Sequence, residues 1–166
     1  TDTSWLRIFY AGAWAVWLIF IKPRHDVLWI SLQAFFGLGV GLTAVFSALD
    51  HASLMLLVAA VGMICFFTAH HFFYSFDEEH MRLLSYIWAY FGAALTWILE
   101  HWLVYYYALV AQPTLILVAT AFSLGALYYL DHFDKLSKPV RRQIVFILIT
   151  ILLVIVSFSD WSDKTI

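Results

Sequence analysis

Six long apolar runs dominate this chain and restrict the folds open to it. Short polar breaks separate them, and each run is near the ~20 residues that a helix needs to cross about 30 Å of hydrocarbon. The runs cover about residues 5–21, 27–49, 53–74, 83–109, 114–130 and 144–158. All three prolines lie in or beside the breaks, so no run loses a backbone N–H donor in its middle. The pattern predicts an all-α transmembrane bundle of six helices.

Composition supports a membrane environment and argues against one class of partner. The chain is 64% hydrophobic and only 12% charged, and its mean hydropathy is +0.87, so the lipid bilayer is the expected solvent. The formal net charge is −2 and no basic stripe is present, which argues against a nucleic-acid partner. No linker divides the sequence, so we expect residues 1–166 to form a single domain. Other membrane subunits or a second copy of the chain are the expected protein partners.

The positions of lysine and arginine predict how the bundle is oriented. Seven of them occupy the first, third and fifth breaks: Lys22, Arg24, Arg82, Lys135, Lys138, Arg141 and Arg142. The opposite side carries only Arg7 and Lys164. Because basic residues favour the cytoplasmic side, we expect both termini on the non-cytoplasmic side of an inner or plasma membrane. Residues 1–7 lack a basic leader, so no cleavable signal peptide is expected.

Small residues at helical spacing predict which faces pack closely. In the second run they are Gly37, Gly41, Ala44 and Ala48. In the fourth run one face carries Ala89, Ala93, Thr96 and Glu100. The sixth run has no such stripe and consists almost entirely of large aliphatic residues. We therefore expect it at the lipid-facing rim.

An acid followed by a histidine, Glu100-His101, lies within the otherwise apolar fourth run. A carboxylate in hydrocarbon costs a few kcal/mol, so such residues usually face protein or a site. Asp50-His51 ends the second run on the same predicted side of the membrane. Imidazole and carboxylate together suit a divalent metal such as zinc, iron, nickel or manganese. The four residues are therefore candidates for a metal site or for the coupling site of a transporter.

Histidines in several runs also suggest a haem. Bis-histidine ligation needs two imidazoles at similar depth on facing helices. His70 or His71 of the third run and His132 of the fifth differ in depth by about one helical turn, and His101 is a further candidate. The order of these runs is similar to the six-helix cytochrome b561 architecture, which implies haem b held between the second and fourth runs and between the third and fifth.

Other residues have simpler interpretations. Cys65 is expected to be a small buried hydrophobe. Residues 77–80 are expected to form a solvated acidic loop, and most tyrosines and tryptophans to anchor helix ends at the interface. Trp88 and Trp97 lie deeper and are candidates to line a pocket. No hydrolase, metalloprotease or nucleotide-binding motif is present, so the sequence supports no particular enzyme activity.

Three functional hypotheses remain from the sequence. The first is a redox or accessory subunit of a membrane complex that holds haem b or a divalent metal through intramembrane histidines. The alternative is a small proton- or metal-linked transporter with Glu100-His101 as its coupling site. The third is a structural subunit whose histidines only pack.

Overall fold

The computed structural model describes residues 27–49, 52–102, 106–107 and 110–158. This part of the chain is all-α apart from one small hairpin. Its helices are α1 (Val27–Ala48), α2 (Leu54–Tyr74), α3 (Met81–Trp102), α4 (Gln112–His132) and α5 (Lys138–Phe158). All five are long and apolar enough to cross a membrane. They correspond to the second to sixth predicted runs, whereas residues 5–21 and both termini lie outside the described residues.

The predicted helix over residues 83–109 is too long. Helix α3 ends at Trp102, and Tyr106–Tyr107 then pairs antiparallel with Val110–Ala111. A helix of 22 residues is already about 33 Å long, enough for the hydrocarbon core. Tyrosine favours a strand over a helix interior, and a hydropathy pattern does not contain this strand propensity.

Helix α5 begins earlier than its apolar run predicts. The run begins at about residue 144, but the helix begins at Lys138. Ser137 precedes it and accepts a hydrogen bond from the Val140 backbone N–H through its side-chain oxygen (3.4 Å). Pro139 fits the first turn because the N–H groups there have no acceptor within the helix, so the donor that proline lacks costs no hydrogen bond. These capping residues explain why the polar first turn is helical. A prediction from hydropathy misses that turn because its residues are not apolar.

Helix α1 packs mainly through large side chains. Its buried residues recur every three or four positions: Ser31, Ala34, Leu38, Leu42 and Phe46. The predicted small-residue stripe is confirmed only at Gly41, where an added Cβ would lie 3.3 Å from Ile64. It is wrong elsewhere, since Ala44 and Ala48 are exposed and a Cβ at Gly37 would meet nothing within 4 Å. The large side chains of Leu38, Leu42 and Phe46 form most of the packed face of α1 instead.

Helices α2 and α3 form the closest pair. A Cβ at Gly62 would lie 3.5 Å from the Ala93 Cβ, and a Cβ at Gly92 would overlap the Cys65 sulfur. Thr96 is fully buried, so the predicted inward face of α3 is confirmed at these positions. Cys65 is buried as predicted.

Helix α4 lies against α1, and α5 lies outside it. A Cβ at Gly125 would overlap the Phe35 ring, so the glycine lets α1 and α4 approach. Within the described part of the chain, α5 packs chiefly on α4 and buries only Ile155. Its predicted peripheral position is confirmed there.

Candidate functional site: a membrane cavity with a polar end

A cavity of about 700 Å³ lies between α1, α2, α3 and α4. Its size falls within the range of small-molecule sites, about 300–1,000 Å³. The walls are mostly aliphatic and aromatic, with α2 supplying Phe72 and Phe73 and α3 supplying Trp88 and Phe91. The prediction that Trp88 lines a pocket is confirmed, whereas Trp97 does not line this cavity. An apolar space of this size in a membrane bundle can hold a lipophilic molecule.

The cavity opens sideways between α3 and α4. Three apolar residues that line it are exposed: Ile87 (56%), Phe91 (40%) and Leu124 (48%). Phe91 and Leu124 lie within about 3 Å of their helix midpoints at 1.5 Å per residue. The opening is therefore at the depth of the acyl chains, where a membrane-soluble molecule can enter without crossing water.

One end of the cavity is polar. The Tyr128 hydroxyl of α4 donates a hydrogen bond to the Glu78 carboxylate in the loop between α2 and α3. Asp131, one helical turn beyond Tyr128, also lines the cavity. This end carries the exposed basic residues Arg82 and Lys135, so we call it the basic end.

Phe76 holds the loop after α2 against helix α4 at the basic end. It lies in the loop after α2, yet only 6% of its surface is exposed. Its ring contacts the rings of Tyr128 (5.0 Å between centroids), Tyr129 (6.2 Å) and His132 (5.1 Å), all on α4. Edge-to-face aromatic contacts of this kind stabilise by about 0.5–1.5 kcal/mol beyond burial. The aromatic cluster and the Tyr128–Glu78 bond thus fix the loop after α2 against α4 at this end, where Asp131 is exposed.

The loop after α2 and the loop after α4 each contain a turn with an aspartate in the left-handed conformation. Asp77 and Asp134 each follow a phenylalanine after a helix, and each has a positive φ (53° and 54°). Aspartate tolerates this left-handed conformation better than most residues do. The chain therefore reverses sharply after α2 and after α4, and both turns lie at the basic end.

The hydrogen bond affects the ionisation of Glu78. Donation from the Tyr128 hydroxyl lowers the pKa of the Glu78 carboxyl below its ordinary value. A backbone N–H of His80 and the nearby imidazoles of His80 and His132 act in the same direction, while partial burial opposes them. Each of these donors and charges favours the carboxylate form. Glu78 is therefore ionised at neutral pH.

The two adjacent histidines of α2 point in different directions. His70 is partly buried and its ring stacks on Phe66 at 5.7 Å, whereas His71 is exposed. Neighbouring helical residues are about 100° apart, so the two imidazoles do not share one site. The Nδ1 atom of His70 is buried and has no hydrogen-bond partner in the described part of the chain. Neither histidine is among the residues that line the cavity.

The structure describes only some of the remaining predicted ligands. His132 is exposed at the end of α4 and packs on Phe76. Glu100 is partly buried near the end of α3 and has an interaction partner. The side chain of His101, like Asp50 and His51, lies outside the described residues. Among the residues described, no group of three or more His, Cys, Asp or Glu side chains is placed to hold a metal ion.

Sequence reasoning missed the polar end of the cavity. It assigned Tyr128 to an interfacial anchor and Glu78 to a solvated loop. One signal was present: Phe76 interrupts the polar loop after α2 with a large apolar side chain, which suggests that this loop packs against something. The pairing of that loop with α4 depends on a contact across 50 residues and has no local signature.

No family model, no curated protein and no solved structure matches the chain. The functional proposal therefore rests on the geometry of the cavity.

Proposed function

We propose that this chain is a multi-pass membrane protein that binds a lipophilic, membrane-soluble molecule in the cavity between α1, α2, α3 and α4. The observation that carries the proposal is the sideways opening at Ile87, Phe91 and Leu124, at the depth of the acyl chains. A pocket that opened to water would favour a polar ligand. An apolar pocket that opens to lipid favours one that partitions into the membrane.

The polar end supports a ligand with two chemically different parts. Tyr128 and Asp131 lie at one end of an otherwise apolar cavity. The hydrocarbon chain of the ligand would lie against the walls formed by Phe72 and Trp88, and its polar head would lie beside Asp131. The few polar groups would then set the orientation of the ligand, as is usual in small-molecule sites.

Photolabelling of the purified protein in phosphatidylcholine nanodiscs tests this function. The probes are hexadecanol and hexadecanoic acid, each with a diazirine in the middle of the chain. We expect saturable labelling of α3 near Phe91 and of α4 near Leu124, with competition by the unlabelled compound. Labelling of the exposed α5 residue Leu153 should not saturate, because it reports only on bulk lipid.

A pair of matched variants sharpens the experiment. Leu124→Trp places a larger, aromatic side chain in the cavity, and Leu153→Trp makes the same change on the exposed face of α5. We expect Leu124→Trp to abolish saturable labelling and Leu153→Trp to leave it unchanged. Equal, non-saturable labelling of α3, α4 and α5 by both probes would overturn the proposed function.

Haem binding is a second candidate, supported by one specific observation. The buried Nδ1 atom of His70 has no hydrogen-bond partner in the described part of the chain, and a metal could use such a nitrogen. A reduced-minus-oxidised absorption spectrum tests this candidate. A Soret band that disappears in His70→Ala but survives in His80→Ala, a change in an exposed loop residue, would support it. A protein without absorption in that region would reject it.

A further inference from the structure

We infer that the ligand of this cavity carries a hydrogen-bond-donating or cationic head, as a long-chain alcohol or amine does, and not a carboxylate or phosphate. The inference rests on the proposed function and specifies its ligand class. It follows from the way the hydroxyl protons of the cavity are used and from the charge at its polar end.

Each hydroxyl group that lines the cavity donates a hydrogen bond to an acceptor within the protein. Thr68 donates to the Ile64 carbonyl oxygen (2.8 Å), and Thr120 donates to the Ile116 carbonyl oxygen (2.7 Å). Tyr128 donates to Glu78. A hydroxyl that donates its one proton within the protein has only lone pairs left to offer. These three groups therefore present acceptors to whatever occupies the cavity.

Asp131 adds a negative charge to the same set. A carboxylate is an acceptor only, and it repels another anion placed beside it. Lys135, the basic residue that follows α4 most closely, has its ammonium group 5.9 Å from the centre of the Phe133 ring. A fatty-acid or phospholipid head beside Asp131 would meet like charge, whereas an ammonium or hydroxyl group would meet a partner.

The aromatic walls act in the same direction. The faces of Phe72, Phe73 and Tyr128 carry partial negative charge and attract a cation within about 6 Å. Trp88 is the exception among the polar lining side chains, since its indole N–H is a donor. It lies about 10 Å from the start of α3 at 1.5 Å per residue, and so deeper in the membrane than the polar end. Trp88 is therefore separated from Tyr128 and Asp131, the acceptors at the polar end, and lies at about the depth of Thr68.

Competition with three compounds of equal chain length tests the inference. Hexadecylamine, hexadecanol and hexadecanoic acid compete with the photoreactive hexadecanol in neutral phosphatidylcholine nanodiscs. We expect the amine to bind about tenfold more tightly than the acid, with the alcohol between them. Equal binding of all three, or tighter binding of the acid, would overturn the inference but leave the proposed function intact.

Two aspartate variants identify the group responsible. Asp131→Asn removes the charge at the cavity, and Asp134→Asn removes one in the following loop, outside the cavity lining. We expect Asp131→Asn to weaken amine binding about fivefold and to change alcohol binding less than about twofold. Asp134→Asn should change neither. An unaltered preference for the amine in Asp131→Asn would contradict the role of this carboxylate.

Failure of the inference is distinguishable from failure of the proposed function. If no compound gives saturable labelling near Phe91 and Leu124, no ligand of this kind occupies the cavity and both statements fail. If the acid alone labels saturably, the function stands and the ligand class is wrong.

Discussion

The two sides of α3 meet their neighbours in opposite ways. Toward α2 it presents Gly92 and Ala93, and the backbones approach so closely that a Cβ at Gly92 would overlap the Cys65 sulfur. Toward α4 it presents Trp88 and Phe91, and contact between α3 and α4 is sparse. Lipid competes for apolar side chains as well as protein does, so close helix packing in a membrane depends on shape. Small residues produce the tight interface, and large residues leave the cavity.

The largest expected effect contrasts two leucines of α4. Leu117 is fully buried beside Gly92, whereas Leu124 is 48% exposed and lines the cavity. Leu117→Ala should destabilise the protein by about 2 kcal/mol or more, since it removes a well-packed side chain. Leu124→Ala should cost clearly less. Unfolding by SDS titration, followed by circular dichroism, measures both, and equal losses would show that α4 packs equally well at the two positions.

The tight interface predicts a second, somewhat smaller effect. Gly92→Ala places a methyl group against Cys65, and overpacking of this kind costs about 1–3 kcal/mol. Gly37→Ala is the matched control, because a Cβ there meets nothing within 4 Å and the gain in helix propensity is the same.

Removal of the obstructing sulfur tests the cause of that effect. Cys65→Ala combined with Gly92→Ala should recover most of the lost stability in the same SDS titration. A double variant as unstable as Gly92→Ala alone would mean that the two side chains do not meet.

The hydrogen bond at the basic end predicts a third effect. Tyr128→Phe keeps the ring that contacts Phe76 and removes the donor to Glu78. We expect a loss of about 0.5–1 kcal/mol, because Glu78 is partly exposed and water replaces part of the bond. Tyr129→Phe, the same change at the next residue, should have a smaller effect. Thermal unfolding in detergent compares the two, and the expectation fails if Tyr129→Phe is the more damaging.

The smallest effect is a pH dependence at the same bond. The pKa of Glu78 is lower in the folded protein than its ordinary value, mainly through the Tyr128 hydroxyl. Its contribution is therefore fully present above the unfolded pKa and is lost as pH falls through the folded one. The difference in melting temperature between wild type and Glu78→Gln should be constant from about pH 6 to 7 and shrink below about pH 4. A difference that grows on acidification would contradict the assigned sign.

Local sequence predicted the helices well and their contacts only in part. Hydropathy located α1, α2, α4 and α5, because a membrane-spanning helix needs about 20 apolar residues and little else. It misjudged the end of α3 at Trp102 and the start of α5 at Lys138, where strand propensity and capping decide.

The candidate site was less predictable than the helices. The sequence favoured histidines as site residues because histidine is a common metal ligand. In the structure, His70 and His71 point in different directions from α2, and neither lines the cavity. Tyr128 and Glu78 looked like an interfacial anchor and a solvated acid. Their pairing became visible only with α4 placed beside the loop after α2.

Run length and hydropathy were enough to establish five membrane-length helices and an all-α architecture for the described residues, since the backbone in lipid must satisfy its own hydrogen bonds. The cavity, its opening at Leu124 and the acceptors around its polar end depended on how the helices pack. Those features arise between segments far apart in the chain. They follow from the shapes of facing side chains such as Trp88 and Gly92, and no single helix carries that information.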